Sequence, residues 1–244
     1  MIESILLTTA RVLTFNGPVL LTNATGFFFQ RDERLFLVTS RHVMFDPAHG
    51  HLPTRIEVEL HDDADNMASS TQFSIPLYDA ETVPLWRQGI DGAGEIDVAA
   101  IEIDRAALPA TAAYRAFTPL HLQDDHDEVD VGTSLIVVGF PLGFHDTLHH
   151  MPVVRQAVIA SSFGLRFQGH GYFLTDARTH RGTSGAPVVM RMADPKTAPD
   201  DLPWKLLGVH SARLDAGNMD MQVDEILGLN CAWYADILMT LTKA

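Results

Sequence analysis

Short apolar runs broken by turn residues recur along this chain, and few stretches are long enough to form a helix. GFFFQ (26–30) and LFLVTS (35–40) flank the polar RDER segment and predict a hairpin. IEVEL (56–60), FSIPLY (73–78) and DVAAIEI (97–103) follow as half-buried strands. GTSLIVVGF (132–140), PVVRQAVIA (152–160), GYFLT (171–175), APVVM (186–190) and KLLGVHS (205–211) form a second set. Many short strands with few helices specify an all-β sandwich or barrel. CAWYADILMTLTK (231–243) breaks the pattern, because its apolar residues fall at helical spacing and predict a C-terminal helix. The acidic HLQDDHDEVD (121–130) separates the two strand sets and divides the chain into residues 1–120 and 121–244. RMADPKTAPDDLPW (191–204), with three prolines, predicts a loop standing out from the surface.

Composition removes several classes of function. A net charge of −14 argues against a nucleic-acid groove or an anionic membrane surface, since phosphate binding needs clustered Lys and Arg. No run approaches the roughly 18 apolar residues of a membrane span. The start, MIESILLTTARVLTF, carries Glu3 and no basic leader, so it does not read as a signal peptide. A single cysteine, Cys231, excludes an internal disulfide framework and reads as a free core thiol. Together these features predict a cytoplasmic protein with no membrane or nucleic-acid partner.

Three segments carry chemistry: LVTSRHVM with His42, EIDVAAIEI with Asp97 and RGTSGAPVV with Ser184. A serine hydroxyl is a weak nucleophile until an imidazole takes its proton and a carboxylate fixes that imidazole's tautomer. His42 directly follows an apolar strand, where a short turn presents a ring at a rim. His49, His51, His61, His121 and His126 lie in polar sequence and read as solvated. Asp97 opens the strand Val98, Ala99, Ala100, Ile101, which sets its carboxylate at the edge of a core. Glycines flank Ser184 and permit a tight turn that aims the amide N–H groups of Gly182 and Ser184 at one spot, an oxyanion hole. The esterase elbow G-x-S-x-G fails because Ala186 replaces its last glycine.

The order His, Asp, Ser, with RHV, DVAAI and TDARTHRGTSGAPVV around the three residues, resembles the trypsin-like (chymotrypsin-fold) serine peptidase family. The closest likeness is to bacterial members without disulfides, such as glutamyl endopeptidases and the protease domain of Htr-type proteases. GFPLG (139–143) and PVVRQAVIA resemble the first strands of that family's second barrel. The resemblance implies two six-stranded antiparallel β-barrels with the catalytic residues between them. His42 and Asp97 would come from the first barrel, and Ser184 with the Gly182/Ser184 oxyanion hole from the second. It implies a peptide-hydrolysing enzyme acting on protein or peptide substrates through an acyl-enzyme, without cofactor or metal. Thr183 stands where zymogen-type relatives have an Asp, and only 41 residues precede His42, so activation by N-terminal clipping is not expected. No PDZ-like sequence follows.

The resemblance also places a specificity pocket. Arg178 occupies the position six before the serine, where trypsin-type enzymes carry an acid, which disfavours a basic residue at P1, just before the cleaved bond. Glutamyl endopeptidases carry a Thr five before the serine and a His in a G-[IV]-H strand; Thr179 and Gly208-Val209-His210 match. Substrate contacts are therefore expected from Arg178, Thr179, His210, Ser211 and Arg213, with Glu preferred at P1 and Gln left open. His210 as a core histidine is the rival reading. A catalytically latent binding or scaffold protein and an esterase using the same residues are the alternative functions. His145, His149 and His150 crowd one loop but lack metal-ligand spacing.

Overall fold

The computed structural model describes residues 2–123, 129–194, 201–213 and 228–243, with the side chains of 212 and 213 excepted. Seven antiparallel strands build its first half: β1 (Thr9–Asn16), β2 (Val19–Arg31), β3 (Arg34–Thr39), β4 (Arg55–His61), β5 (Ser70–Pro76), β6 (Trp86–Asp91) and β7 (Gly94–Ile103). They pair in the order β5-β4-β1-β2-β3-β7-β6. The end strands β5 and β6 are not paired with each other, and a cavity of about 400 Å³ lined by Phe73, Ile75, Ile101 and Ile103 lies between β5 and β7. Six further strands, β8 (Ser134–Gly139), β9 (Val153–Ile159), β10 (Tyr172–Ala177), β11 (Pro187–Arg191), β12 (Trp204–Arg213) and β13 (Leu229–Tyr234), close into a barrel in the order β10-β13-β12-β11-β8-β9.

The triple phenylalanine of β2 explains how the halves meet. Successive side chains on a strand point to opposite faces, so Phe27 and Phe29 share one face and Phe28 takes the other. Phe28 packs inside the first sheet with Val12, Leu35 and Leu37. Phe27 and Phe29 pack with Val98 from β7 and with Val138, Val209 and Trp233 from the second barrel. This central strand is buried on both faces, hence a continuous aromatic run in place of alternation. β7 repeats the device: Val98 and Ala100 face the shared cluster, while Ala99 and Ile101 face the first sheet's own core.

Three strands were not legible as such. β6 buries only Trp86 among its large side chains and leaves Ile90 73% exposed, so it carries no alternating signal. β1 lies in an opening segment with turn residues only after it, at Asn16-Gly17-Pro18. β13 corrects the predicted C-terminal helix: residues 229–234 form a strand between β10 and β12, and helix begins only afterwards. A 3-10 turn (Ala235–Ile237) leads into a one-turn helix α2 (Leu238–Leu241), whose Leu238 and Leu241 enter the shared cluster. The helical spacing is real from Ala235 onward, but barrel closure claims Cys231–Tyr234.

Two expected surface features also differ. His121 is fully buried and accepts the Thr118 N–H on Nδ1 at 2.9 Å, and His61 is buried at the end of β4. The acidic residues 124–128 and loop residues 195–200, like His126, lie outside the described residues; the described flank of the loop buries Leu202. No described helix is long and apolar enough to cross a membrane. Phe29→Ala is expected to destabilise the fold by about 3–5 kcal/mol, because it empties the cluster both halves share. Denaturant titration against wild type checks this, and a loss below about 1 kcal/mol would show the halves to be stable without that contact.

Candidate active site

β3 ends at Thr39, and Ser40 leads into a one-turn helix α1 (Arg41–Met44) that carries His42. Arg41 pairs with Glu95 at 2.8 Å, tying α1 to the start of β7. Asp97, on β7, grips His42 with both carboxylate oxygens. Oδ1 accepts the His42 backbone N–H at 2.8 Å, and Oδ2 lies 2.7 Å from ring Nδ1. The Ser211 hydroxyl donates to the same Oδ2. Burial pushes the Asp97 pKa upward, but the His42 hydrogen bond and charge, the Ser211 hydroxyl and the His42 amide outweigh it and hold it below its ordinary value. An ionised Asp97 can only accept, so Nδ1 carries the proton and Nε2 is left as an acceptor in the neutral ring. For His42, burial disfavours the charged ring, yet Asp97's hydrogen bond and charge prevail and raise its pKa above the ordinary 6.5.

Ser184 sits in a loop shaped by backbone bonds. Gly185 N–H donates to His210 O at 2.7 Å, His210 N–H to Ala186 O at 2.8 Å, and Thr183 N–H to His180 O at 3.1 Å. Gly182 and Gly185 have φ of 90° and 86°, and a Cβ on Gly185 would lie 2.2 Å from both Thr25 O and Thr39 Oγ1. Only glycine permits that approach. Among the described residues neither the Gly182 nor the Ser184 N–H has an acceptor in the protein. The Ser184 hydroxyl donates to Ser211 O at 3.0 Å and makes no hydrogen bond to His42. Ser211 therefore bridges the site, its carbonyl on Ser184 and its hydroxyl on Asp97.

Thr25 went unnoticed in the sequence, where ATGFFF reads as plain strand. From β2 its N–H donates to Ser184 O at 3.0 Å, and its hydroxyl donates to Gly182 O at 2.7 Å. That hydroxyl also accepts the Phe140 N–H at 3.1 Å, and Thr39 Oγ1 donates to Thr25 O at 2.7 Å. One fully buried residue thus fixes the Gly182–Ser184 loop to the first sheet.

The expected pocket residues are distributed as follows. Thr179 is buried and donates to Asn230 Oδ1 at 2.5 Å; the Asn230 amide in turn donates to Ala177 O and Gly228 O. His210, 2% exposed, faces Ala232 across the β12–β13 ladder, two residues along β13 from Asn230 and hence on the same face. Arg178 is exposed, and its carbonyl takes Arg155 Nε at 2.9 Å and Nη2 at 2.8 Å. The Arg213 side chain lies outside the described residues. The histidine loop is held piecewise: His145 Nδ1 to Gly143 O at 2.6 Å, His149 to Asp146 at 2.7 Å, and His150 Nδ1 2.9 Å from Glu59. Half-buried Cys231 has its thiol pushed up to about 11 by burial, far from a thiolate nucleophile.

Thr25→Val would keep the shape and strand preference but leave the Phe140 N–H and Gly182 O unpaired. The expected cost is about 1–3 kcal/mol for each buried group left without a partner, with Thr25→Ser recovering most of it. Equal stability of the Val and Ser variants in denaturant titrations would show the hydroxyl to be dispensable.

The trypsin-like peptidase domain profile matches residues 24–193. A serine endoprotease from Yersinia pestis superposes with a TM-score of 0.55 at 15% identity, covering 97% of this chain and 62% of that one. An inactive mutant form of Rv3671c from M. tuberculosis H37Rv superposes with a TM-score of 0.50 at 14% identity, covering 98% of this chain and 89% of that one. No curated protein matches the sequence. The profile match spans well over half of the residues, and the chain belongs to the trypsin-like peptidase domain family.

Proposed function

We propose that this chain is a serine endopeptidase with Ser184 as nucleophile, His42 as general base and then acid, and Asp97 as the orienting carboxylate. The observation that carries the reading is the double grip of Asp97 on His42, which leaves Nε2 free to accept a proton. A turn of the Ser184 side chain from Ser211 O toward Nε2 completes the relay. Ser184 Oγ then attacks the scissile carbonyl carbon while its proton passes to Nε2, and the oxyanion takes the unengaged N–H groups of Gly182 and Ser184. Collapse breaks the C–N bond as the imidazolium returns its proton to the leaving amine. Water, deprotonated by His42, then releases the acyl group. Thr183, buried and with no carboxylate to receive a new N-terminus, supports activity without N-terminal clipping.

The present Ser184–Ser211 bond is the one observation that favours a latent, binding-only protein. A fluorophosphonate probe decides between them, labelling Ser184 if the site assembles and leaving it unmodified if it does not. Ser184→Ala and His42→Ala are each expected to lower kcat by a similar factor of about 10⁴–10⁶, because the members act as a unit. Retention of most activity by Ser184→Ala would refute the assignment.

The pH profile follows from the raised His42 pKa. The neutral ring is the active base, so kcat/KM should rise with pH through an apparent pKa above 6.5. Asp97→Asn removes the charge that raises it, so the acid limb should move to lower pH while kcat falls by about 10⁴-fold. An unmoved acid limb would detach Asp97 from His42.

For specificity we propose an acidic P1 residue, Glu ahead of Gln and both ahead of Lys. Support comes from Thr179, bonded to Asn230 of β13, from His210 of β12, which faces Ala232 two residues along the same strand, and from Arg178 in place of an acid. A P1 carboxylate next to His210 would favour the imidazolium and gain a charge-assisted bond. Comparison of kcat/KM for peptides differing only at P1 (Glu, Gln, Phe, Lys) tests this, with His210→Ala expected to hurt the Glu peptide most. A preference for Phe or Lys would return His210 to a core role.

A further inference from the structure

Leu142 is an unusual residue for its place. Its φ of 55° and ψ of 21° lie in the left-handed region, which leucine rarely enters, and its side chain is 67% exposed. Packing therefore does not explain the conformation. It is held instead by backbone bonds: Leu142 N–H to Arg181 O at 2.5 Å, Gly143 N–H to Phe140 O at 2.9 Å and Phe144 N–H to Pro141 O at 2.8 Å. The first of these reaches the nucleophile loop.

Every described peptide bond is trans. In a trans peptide the C=O and the following N–H point in opposite directions. Fixing Arg181 O on Leu142 N–H therefore aims the Gly182 N–H the other way, off the Leu142 turn, where it has no acceptor among the described residues. Without that anchor, rotation of the Arg181–Gly182 peptide would exchange the donor for a carbonyl, which repels an oxyanion. Thr25 holds Gly182 O on the far side, and a Cβ at Gly182 would meet Phe140 O at 2.5 Å and Leu142 N at 3.1 Å. The Arg181–Gly182 plane thus turns on the one bond from Leu142.

We propose that the backbone N–H of Leu142 is the positioning group for the oxyanion hole, setting the Gly182 donor through the Arg181 carbonyl. The inference rests on the serine-peptidase reading above. Leu142 touches no reacting atom and acts only through the peptide it orients. The left-handed φ lets the chain after Leu142 fold back, with Gly143 N–H on Phe140 O, while the Leu142 N–H stays on Arg181 O, an instance of backbone strain retained where function needs it.

The test uses the intact chain with an amide-to-ester replacement at Leu142, which deletes the N–H and keeps the side chain. Leu142→Pro and Leu142→Gly accompany it. On a fluorogenic peptide that the wild type cleaves, the ester and Pro variants are expected to lose about 10²-fold in kcat with KM within about threefold of wild type. Affinity for a peptide boronate, whose tetrahedral adduct uses the oxyanion hole, should fall by the same factor, while the acid-limb pKa set by Asp97 and His42 stays in place. Leu142→Gly, which keeps the donor and accepts a left-handed φ, should recover at least about tenfold of the loss. The proposal is overturned if the ester variant keeps kcat within about threefold of wild type, or if Leu142→Gly is as impaired as the ester. A wild-type chain that neither cleaves nor labels at Ser184 would overturn the reading of the site and this inference with it.

Discussion

The buried hydroxyl of Thr25 is where the two strand systems become one site. Hydrophobic packing alone brings the halves together, since Phe27 and Phe29 share a cluster with Val138 and Val209. Such contacts are non-directional and would tolerate sliding. Thr25 supplies direction: its N–H and hydroxyl hold Ser184 O and Gly182 O, while its oxygen receives the Phe140 N–H. Each bond contributes only about 0.5–1.5 kcal/mol net, but leaving any of these buried groups unpaired costs more, so alternative alignments are selected against. The glycine at 185 is a consequence, because the loop can reach Thr25 O and Thr39 Oγ1 only without a side chain.

Asp97 sets the second constraint. A carboxylate mostly withdrawn from water is costly unless its lone pairs are met. Here three donors meet them, two from His42 and one from Ser211, and the carboxylate stays charged despite its burial. Since the Ser211 carbonyl also receives the Ser184 hydroxyl, one residue of β12 senses both the acid and the nucleophile. Site and fold are thus coupled through side-chain and backbone groups of the same few residues.

That coupling explains what could be read from the sequence. The proposed catalytic residues declare themselves by type and setting: His42 after a strand, Asp97 opening one, Ser184 between glycines. The strands around Phe27–Phe29 and Val98–Ile101 are visible as apolar runs, but 97–103 reads as half-buried and its second buried face shows only in the fold. Thr25 and Leu142 were not visible, because each acts through bonds to residues more than 35 positions away in sequence, and a threonine in a strand or a leucine in a loop has no local signature. β6 escaped because it is polar and exposed. β13 was masked by apolar spacing that serves a strand for four residues and a helical turn thereafter. That the Ser211 hydroxyl turns toward Asp97 has no local signature in the sequence either.

The proposed acidic preference operates in a chain of net charge −14, which at first sight should repel acidic peptides. The Debye length at physiological ionic strength is about 8 Å, so exposed carboxylates farther away than that contribute little at the site. What a bound side chain meets is local. The segment Arg178-Thr179-His180-Arg181 immediately precedes Gly182 in sequence and carries two arginines and a histidine, and the Arg155 guanidinium sits at the Arg178 carbonyl. Acidic substrates would thus gain little from long-range steering and depend on contacts made after arrival. Under the proposed specificity, discrimination would reside in bound-state contacts with His210 and Thr179, whose burial would make a mismatched partner costly.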